Sequence, residues 1–144
     1  MISRLAPIWF LCLLLVGCEF LAPVGPIINI GIFWMNREAH KYYATEYDTM
    51  EASIRIVLNE LEMAVQEDYV DDGILHLVVD EDSRFRIKLN PVRHNVTKVS
   101  ILVNTLGDKP YAEMIYRHID AQPGVEQFTT VEELNTAMET QRRR

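Results

Sequence analysis

Cysteine is nearly absent from this sequence. The 144 residues contain two cysteines, Cys12 and Cys18, and both lie within the first eighteen positions. A secreted scaffold held together by disulfides needs more cysteines spread along the chain, and so does a metal site built from thiolates. Both classes are therefore excluded. The length suits one domain, since single domains most often contain about 100–150 residues.

Positive charge is also in short supply. The chain has 14 Lys and Arg residues against 21 Asp and Glu residues, which gives a formal charge of −7. The summed field of such a protein repels nucleic-acid phosphates. We therefore expect no nucleic-acid partner.

Motifs with a known chemical mechanism are missing as well. The sequence contains no G-x-S-x-G, G-x-x-x-x-G-K, H-E-x-x-H or C-x-x-C pattern. Its carboxylate clusters lack the alternation of a calcium-binding loop, and its histidines lack the spacing of metal ligands. These histidines are His40, His76, His94 and His118. The sequence thus predicts no enzyme, no cofactor and no metal site.

The N-terminus has the layout of a signal peptide. One cation, Arg4, precedes an almost unbroken apolar run from Leu5 to Val16. The following Leu15-Val16-Gly17-Cys18 sequence resembles the lipobox of bacterial lipoproteins, in which the cysteine is acylated and becomes the new N-terminus. We therefore expect residues 1–17 to be removed and the lipid on Cys18 to hold the protein on a membrane.

An uncleaved membrane anchor is the alternative. The apolar residues up to Met35 are numerous enough to cross about 30 Å of hydrocarbon. Glu19, Pro23 and Pro26 interrupt them, which favours cleavage. Glu19 next to the acylated cysteine resembles lipoproteins that are sorted to the outer membrane. This resemblance implies a bacterial cell-envelope protein on the periplasmic leaflet of the outer membrane.

Residues 18–36 are predicted to contain the lipidated cysteine and a linker, although this linker is unusually apolar. No residue from Phe20 to Asn36 is charged, whereas a flexible tether is normally polar. Either Ile28 to Met35 packs against the folded domain, or the segment lies in the membrane interface or in a partner's groove. The second alternative involves Ile27, Ile30, Phe33 and Trp34.

Hydrophobic periodicity from residue 37 to residue 122 predicts an α+β domain. A strand rich in Tyr and Thr precedes an amphipathic helix that starts at a capping box formed by Asp48 and Glu51. Three strands with short polar turns and a second helix follow, so an antiparallel meander should form one layer and the helices the other. The predicted bounds are His40 to Tyr47, Thr49 to Val65, Ile74 to Val79, Arg84 to Leu89, Val96 to Val103 and Pro110 to Ile119.

Residues 123–144 are predicted to form a C-terminal helical tail. Pro123 and Gly124 interrupt the preceding helix, and Thr130 and Glu133 have the spacing of a capping box at the start of a last helix.

Alternation along the second predicted strand separates apolar from basic side chains. Phe85, Ile87 and Leu89 face one side, so the cations between them face the other. A cation of the third strand should join them, because paired residues of neighbouring strands point to the same side. Such a basic face either binds lipid phosphates, cell-wall carboxylates or an acidic partner, or is a solvated face, with Glu46 as a pairing candidate, that limits aggregation. The basic residues are Arg84, Arg86, Lys88 and Lys98.

Two segments, RIKLNPV and NVTKVSILVNTLGD, follow the first helix and lie downstream of the Cys18 lipobox. With the order of elements from Lys41 to Ile119, they resemble a family of small bacterial lipoproteins classed as a domain of unknown function. The same order is more loosely similar to the helix-grip domains of the outer-membrane assembly lipoprotein BamC. That second similarity implies contact with other proteins, by analogy of fold alone.

Three functional hypotheses follow. The first, which the sequence favours, is an anchored envelope lipoprotein whose domain is a non-catalytic interaction module for a protein or cell-wall partner. The second is a carrier or sensor of a small apolar ligand held between the first helix and the sheet. The third is a hydrolase of envelope polymers, which would need two carboxylates facing one cleft. The pocket of the second hypothesis would be lined by Leu58, Leu61, Phe85 and Ile101.

Overall fold

The computed structural model describes residues 31–80, 85–103 and 108–140, and in these ranges the chain forms one six-stranded antiparallel sheet and three helices. The strand order is β1-β2-β6-β5-β4-β3. The predicted α+β class and the C-terminal helix are confirmed. The strands are β1 (Phe33–Met35), β2 (Glu38–Tyr43), β3 (Glu67–Asp71), β4 (Ile74–Asp80), β5 (Phe85–Arg93) and β6 (Val96–Leu102). The helices are α1 (Tyr47–Glu60), α2 (Lys109–Asp120) and α3 (Val131–Thr140).

The core lies between one face of the sheet and helices α1 and α2. The residues predicted to face inward on and next to β5 and β6 are buried there, with exposed fractions from 0% to 7%. They are Phe85, Ile87, Leu89, Val99, Ile101 and Val103. Apolar stripes of the helices cover them. The stripes consist of Met50, Ile54, Val57 and Leu58 on α1, and Ala112, Ile115, Tyr116 and Ile119 on α2.

Helix α1 is shorter than its apolar periodicity predicted. It ends at Glu60 rather than at Val65, because Glu62 adopts a left-handed conformation with φ 56°. The Met63 amide then donates to the Leu58 carbonyl at 2.8 Å, which closes the helix end in a Schellman motif. Leu61, Met63 and Val65, which follow the last residue of the helix, still pack against the core. The apolar spacing therefore continues although the helix has ended.

The start of α1 also differs from the prediction. The helix begins at Tyr47 after Glu46, and no side chain caps it. Glu51 accepts a hydrogen bond from Arg55 at 2.9 Å instead of completing a capping box with Asp48. The first predicted strand is correspondingly displaced toward the N-terminus and ends at Tyr43.

Two strands were absent from the sequence prediction, β1 and β3. Strand β3 is exposed at every position, and its sequence, EDYVD, does not alternate between apolar and polar residues. The pattern that predicts a half-buried strand is therefore missing there. It is joined to β4 by a two-residue turn in which Asp72 and Gly73 have φ 48° and 76°, the left-handed values that such hairpins need. Strand β1 pairs with β2, so the sheet begins inside the segment assigned to the linker.

The meander of β4, β5 and β6 is confirmed, although its turns differ. Strand β5 continues to Arg93, and the predicted turn from Asn90 to Asn95 is shorter than expected. A shift of register between Pro91 and Arg93 accommodates the proline, which lacks an amide hydrogen for regular pairing.

The tail is fixed to the domain before α3 begins. The Ala44 amide donates to the Glu126 carbonyl at 2.8 Å, and the Glu126 amide donates to the Thr45 hydroxyl, also at 2.8 Å. The predicted capping box is present, since the Glu133 amide donates to Thr130 Oγ1 at 3.1 Å and Glu133 accepts from the Thr130 amide at 3.3 Å.

Candidate functional site on the second face of the sheet

The face of the sheet opposite α1 and α2, here called the second face, carries polar side chains in rows across the strands. Directly paired residues of an antiparallel sheet point to the same side, so the strand register defines these rows. The central row is Phe33, His40, Ser100, Lys88, His76 and Tyr69, one residue from each strand. The row beside it is Met35, Glu38, Leu102, Arg86, Val78 and Glu67.

The structure brings three of the four predicted basic residues to this face. Arg86 and Lys88 lie on β5, and Lys98 lies on β6 opposite Asn90. The fourth, Arg84, lies outside the described residues. All three side chains are half-buried, which is consistent with long aliphatic stems packed along the sheet.

One acidic residue that the sequence reasoning missed lies among these cations. Glu38 Oε1 accepts from Lys88 Nζ at 2.5 Å across the intervening strand β6. The predicted first strand began at His40, so Glu38 was not placed on the sheet. Glu46, the pairing candidate that the sequence suggests, lies elsewhere, with its Oε1 3.4 Å from His94 Nε2.

His40 is buried at the centre of this face. It is 7% exposed, and its Nδ1 lies 2.7 Å from the Ser100 hydroxyl oxygen. Burial lowers the pKa of His40, and the positive charge of Lys98 lowers it further. The neutral imidazole is therefore the form that this environment favours at neutral pH.

The other side of the face carries a second histidine, His76. Its ring stacks on Tyr69, with the ring centres 4.8 Å apart and the planes 4° from parallel. Burial lowers its pKa, and Lys88 adds to the effect. Within the described part of the chain, the buried atoms His76 Nδ1 and Arg86 Nε have no hydrogen-bond partner. Unsatisfied buried nitrogens are uncommon in folded proteins.

The apolar segment before β2 divides between the two faces. Ile32 and Trp34 pack against the core, as the packing alternative predicted. Phe33 and Met35 point to the second face and are 43% and 58% exposed. Ile27 and Ile30, like the rest of residues 20–30, lie outside the described residues.

The pocket that the carrier hypothesis places between α1 and the sheet is occupied by side chains of the hydrophobic core. Leu58, Phe85 and Ile101 are 1%, 3% and 0% exposed and belong to one buried cluster, and Leu61 packs beside it. These residues therefore do not favour a ligand at that position.

Residues 31–80, 85–103 and 108–140 contain neither a membrane-spanning helix nor a group of metal ligands. No helix there is long and apolar enough to cross a membrane. No three His, Cys, Asp or Glu side chains in the same ranges are grouped so that they could hold a metal ion.

Comparison with known proteins identifies a family. No curated protein matches this sequence. A family model described as "protein of unknown function (DUF3568)" matches residues 4–122, which include Cys18, all six strands and helices α1 and α2. α3 lies beyond the matched residues. The chain therefore belongs to the DUF3568 family of proteins of unknown function.

Proposed function

We propose that this protein is an acylated lipoprotein of the bacterial cell envelope whose domain is a non-catalytic interaction module. Its binding surface is the second face of the sheet. The observation that carries this proposal is the gathering of Arg86, Lys88 and Lys98 on one face of an acidic protein, with Glu38 paired to one of them.

The charge arrangement supports an anionic partner. Glu38 offsets the charge of Lys88, while Arg86 and Lys98 make no ion pair with another described residue. A partner that presents carboxylates can pair with both, and Arg86 offers a guanidinium suited to two parallel hydrogen bonds. Cell-wall carboxylates and acidic protein surfaces both have this chemistry.

The anchor is supported by the resemblance of Leu15-Val16-Gly17-Cys18 to a lipobox, and the distance along the chain from Cys18 to the sheet is compatible with it. Fifteen positions separate Cys18 from Phe33, the first residue of β1. A fully extended chain of this length reaches about 50 Å. A domain anchored through Cys18 can therefore contact partners beside the membrane without a spanning helix.

Metabolic labelling tests the anchor. We expect cells fed a labelled fatty acid to label the wild-type chain and the Cys12→Ser variant, but not Cys18→Ser. Cys12 is the matched control, because it is the other cysteine and lies in the segment that processing would remove. Equal label in Cys18→Ser and wild type would overturn the lipoprotein assignment.

Charge reversal tests the binding face. We expect Arg86→Glu combined with Lys98→Glu to leave the fold intact and to remove adducts from in-cell crosslinking. The matched control is Arg117→Glu, an exposed cation on α2. Identical adduct profiles in wild type and the double variant would refute the basic face as the binding surface.

A further inference from the structure

A groove of about 380 Å³ lies on the second face at its β1 edge. Sites for small molecules commonly occupy about 300–1,000 Å³, so the groove is large enough for a small ligand. Strands β1, β2 and β6 and helix α3 supply its lining. The lining residues are Phe33, Trp34, Met35, His40, Tyr42, Lys98 and Leu134.

The walls of the groove are mostly apolar and accessible. Phe33 and Met35 line it while remaining 43% and 58% exposed, so apolar side chains face solvent there. The Leu134 side chain contributes to the groove from α3, and no residue of that helix is fully buried. Neighbouring exposed apolar side chains that line a groove can bury apolar surface against a ligand.

One positive charge stands beside these walls. Lys98 Nζ lies 5.9 Å from the centre of the Tyr42 ring, and no described carboxylate is within ion-pair distance of it. The nearby Glu38 is paired with Lys88. His40, which also lines the groove, is engaged with Ser100 through Nδ1. The groove therefore combines apolar walls with a single unpaired cation.

We propose that this groove binds an amphiphile that has an aliphatic chain and a carboxylate head group. The carboxylate pairs with Lys98, and the chain lies between Phe33, Met35 and Leu134. An ion pair beside apolar walls is screened less than one in open water, so the charge contributes to affinity as well as orientation. The site lies on the opposite side of the sheet from the α1 pocket of the carrier hypothesis, and it requires neither the lipid anchor nor a protein partner.

Titration calorimetry with decanoate tests the proposal. The full-length chain is placed in phosphatidylcholine nanodiscs, and empty nanodiscs give the blank. Decanol is the neutral comparison, since it has the same chain length without the charge. We expect decanoate to bind about tenfold more tightly than decanol, because only the carboxylate can pair with Lys98.

Variants then assign the binding to the groove. We expect Lys98→Gln to weaken decanoate binding about tenfold and to leave decanol binding unchanged. The matched control is Arg93→Gln, which removes one positive charge at a residue that does not line the groove, and it should bind decanoate like the wild type. Truncating the apolar wall in Leu134→Ala should weaken both ligands about three- to tenfold.

Three results would overturn the proposal. The first is the absence of decanoate binding to the wild-type chain. The second is equal affinity for decanoate and decanol, which would show an apolar surface without recognition of the head group. The third is an equal loss in Lys98→Gln and Arg93→Gln, which would show a general effect of charge. The comparison of decanoate with decanol uses the wild-type chain, so it decides the matter even if a variant fails to fold.

Discussion

Lys41 Nζ lies 2.6 Å from Asp120 Oδ2, and this ion pair joins strand β2 to the end of helix α2. The Lys41 side chain is 6% exposed. Tyr43 donates to the same carboxylate at 2.8 Å, and Lys41 donates to Gln127 Oε1 in the tail at 2.9 Å. One cluster of polar side chains therefore holds the sheet, α2 and the start of the tail together.

We predict that Asp120→Asn lowers the free energy of unfolding by about 3–5 kcal/mol, because it leaves the buried charge of Lys41 without a counter-ion. Urea denaturation followed by circular dichroism measures the change. Glu51→Gln is the control, since it removes a partly exposed ion pair with Arg55 and should cost less than about 1 kcal/mol. Similar losses in the two variants would contradict the structural role of Lys41 and Asp120.

We predict that Glu62→Gly raises the free energy of unfolding by about 0.5–1 kcal/mol. Glu62 ends α1 with φ 56°, a conformation that costs energy for a residue with a Cβ and none for glycine. Ala52→Gly tests the same residue type at an exposed position inside α1 and should instead cost about 1 kcal/mol. Thermal unfolding gives both values. A lower free energy of unfolding in Glu62→Gly would contradict this, since it would show that contacts of the Glu62 side chain stabilise the fold by more than the left-handed backbone conformation costs.

We predict that the protein becomes less stable as the pH falls below 6.5, the ordinary pKa of histidine. The pKa values of His40 and His76 are both lowered in the folded state, so below 6.5 the unfolded chain binds more protons and is favoured. Denaturation curves between about pH 7.5 and about pH 5.5 measure this slope. The double variant His40→Gln with His76→Gln should have a shallower slope. A double variant with the full wild-type slope would assign the dependence to other groups.

We predict that Arg86→Met leaves the free energy of unfolding unchanged or raises it by about 1 kcal/mol. Arg86 Nε is buried without a hydrogen-bond partner in the described part of the chain, so the loss of its hydrogen bond to water is not compensated in the folded state. An apolar side chain of similar length keeps the packing of the stem and removes that cost. Chemical denaturation measures stability, and in-cell crosslinking measures binding, which should fall. A large loss of stability would indicate that Arg86 serves the fold rather than a partner.

The sequence predicted the parts of the fold in which burial alternates along the chain. Ile87 and Val99 were placed in the core, and Arg86 and Lys98 on the opposite face, because strands have a period of two residues. Strand β3 lacked that signal, since all five of its residues are exposed. The end of α1 was missed because Val65 continues the apolar spacing after the backbone has turned at Glu62.

The candidate site was predictable only within single strands. The basic residues of β5 were identified from their alternation with apolar neighbours. Glu38 and Lys88 are fifty positions apart in the chain, and His40 and Ser100 are sixty apart, so no local pattern connects either pair. The groove depends in addition on where the tail places Leu134, which is decided by long-range contacts such as that of Thr45 with Glu126.

The proposed function requires the second face to be the surface that contacts a partner, and site-specific photocrosslinking in cells tests this directly. A photoreactive amino acid is placed at Asn90 on the second face and, as the matched control, at Ile56 on the exposed side of α1, which is 50% exposed. We expect the Asn90 position to give a discrete crosslinked adduct that disappears in the Arg86→Glu and Lys98→Glu background, and the Ile56 position to give none. An adduct at Ile56 with none at Asn90 would contradict the assignment of the binding surface.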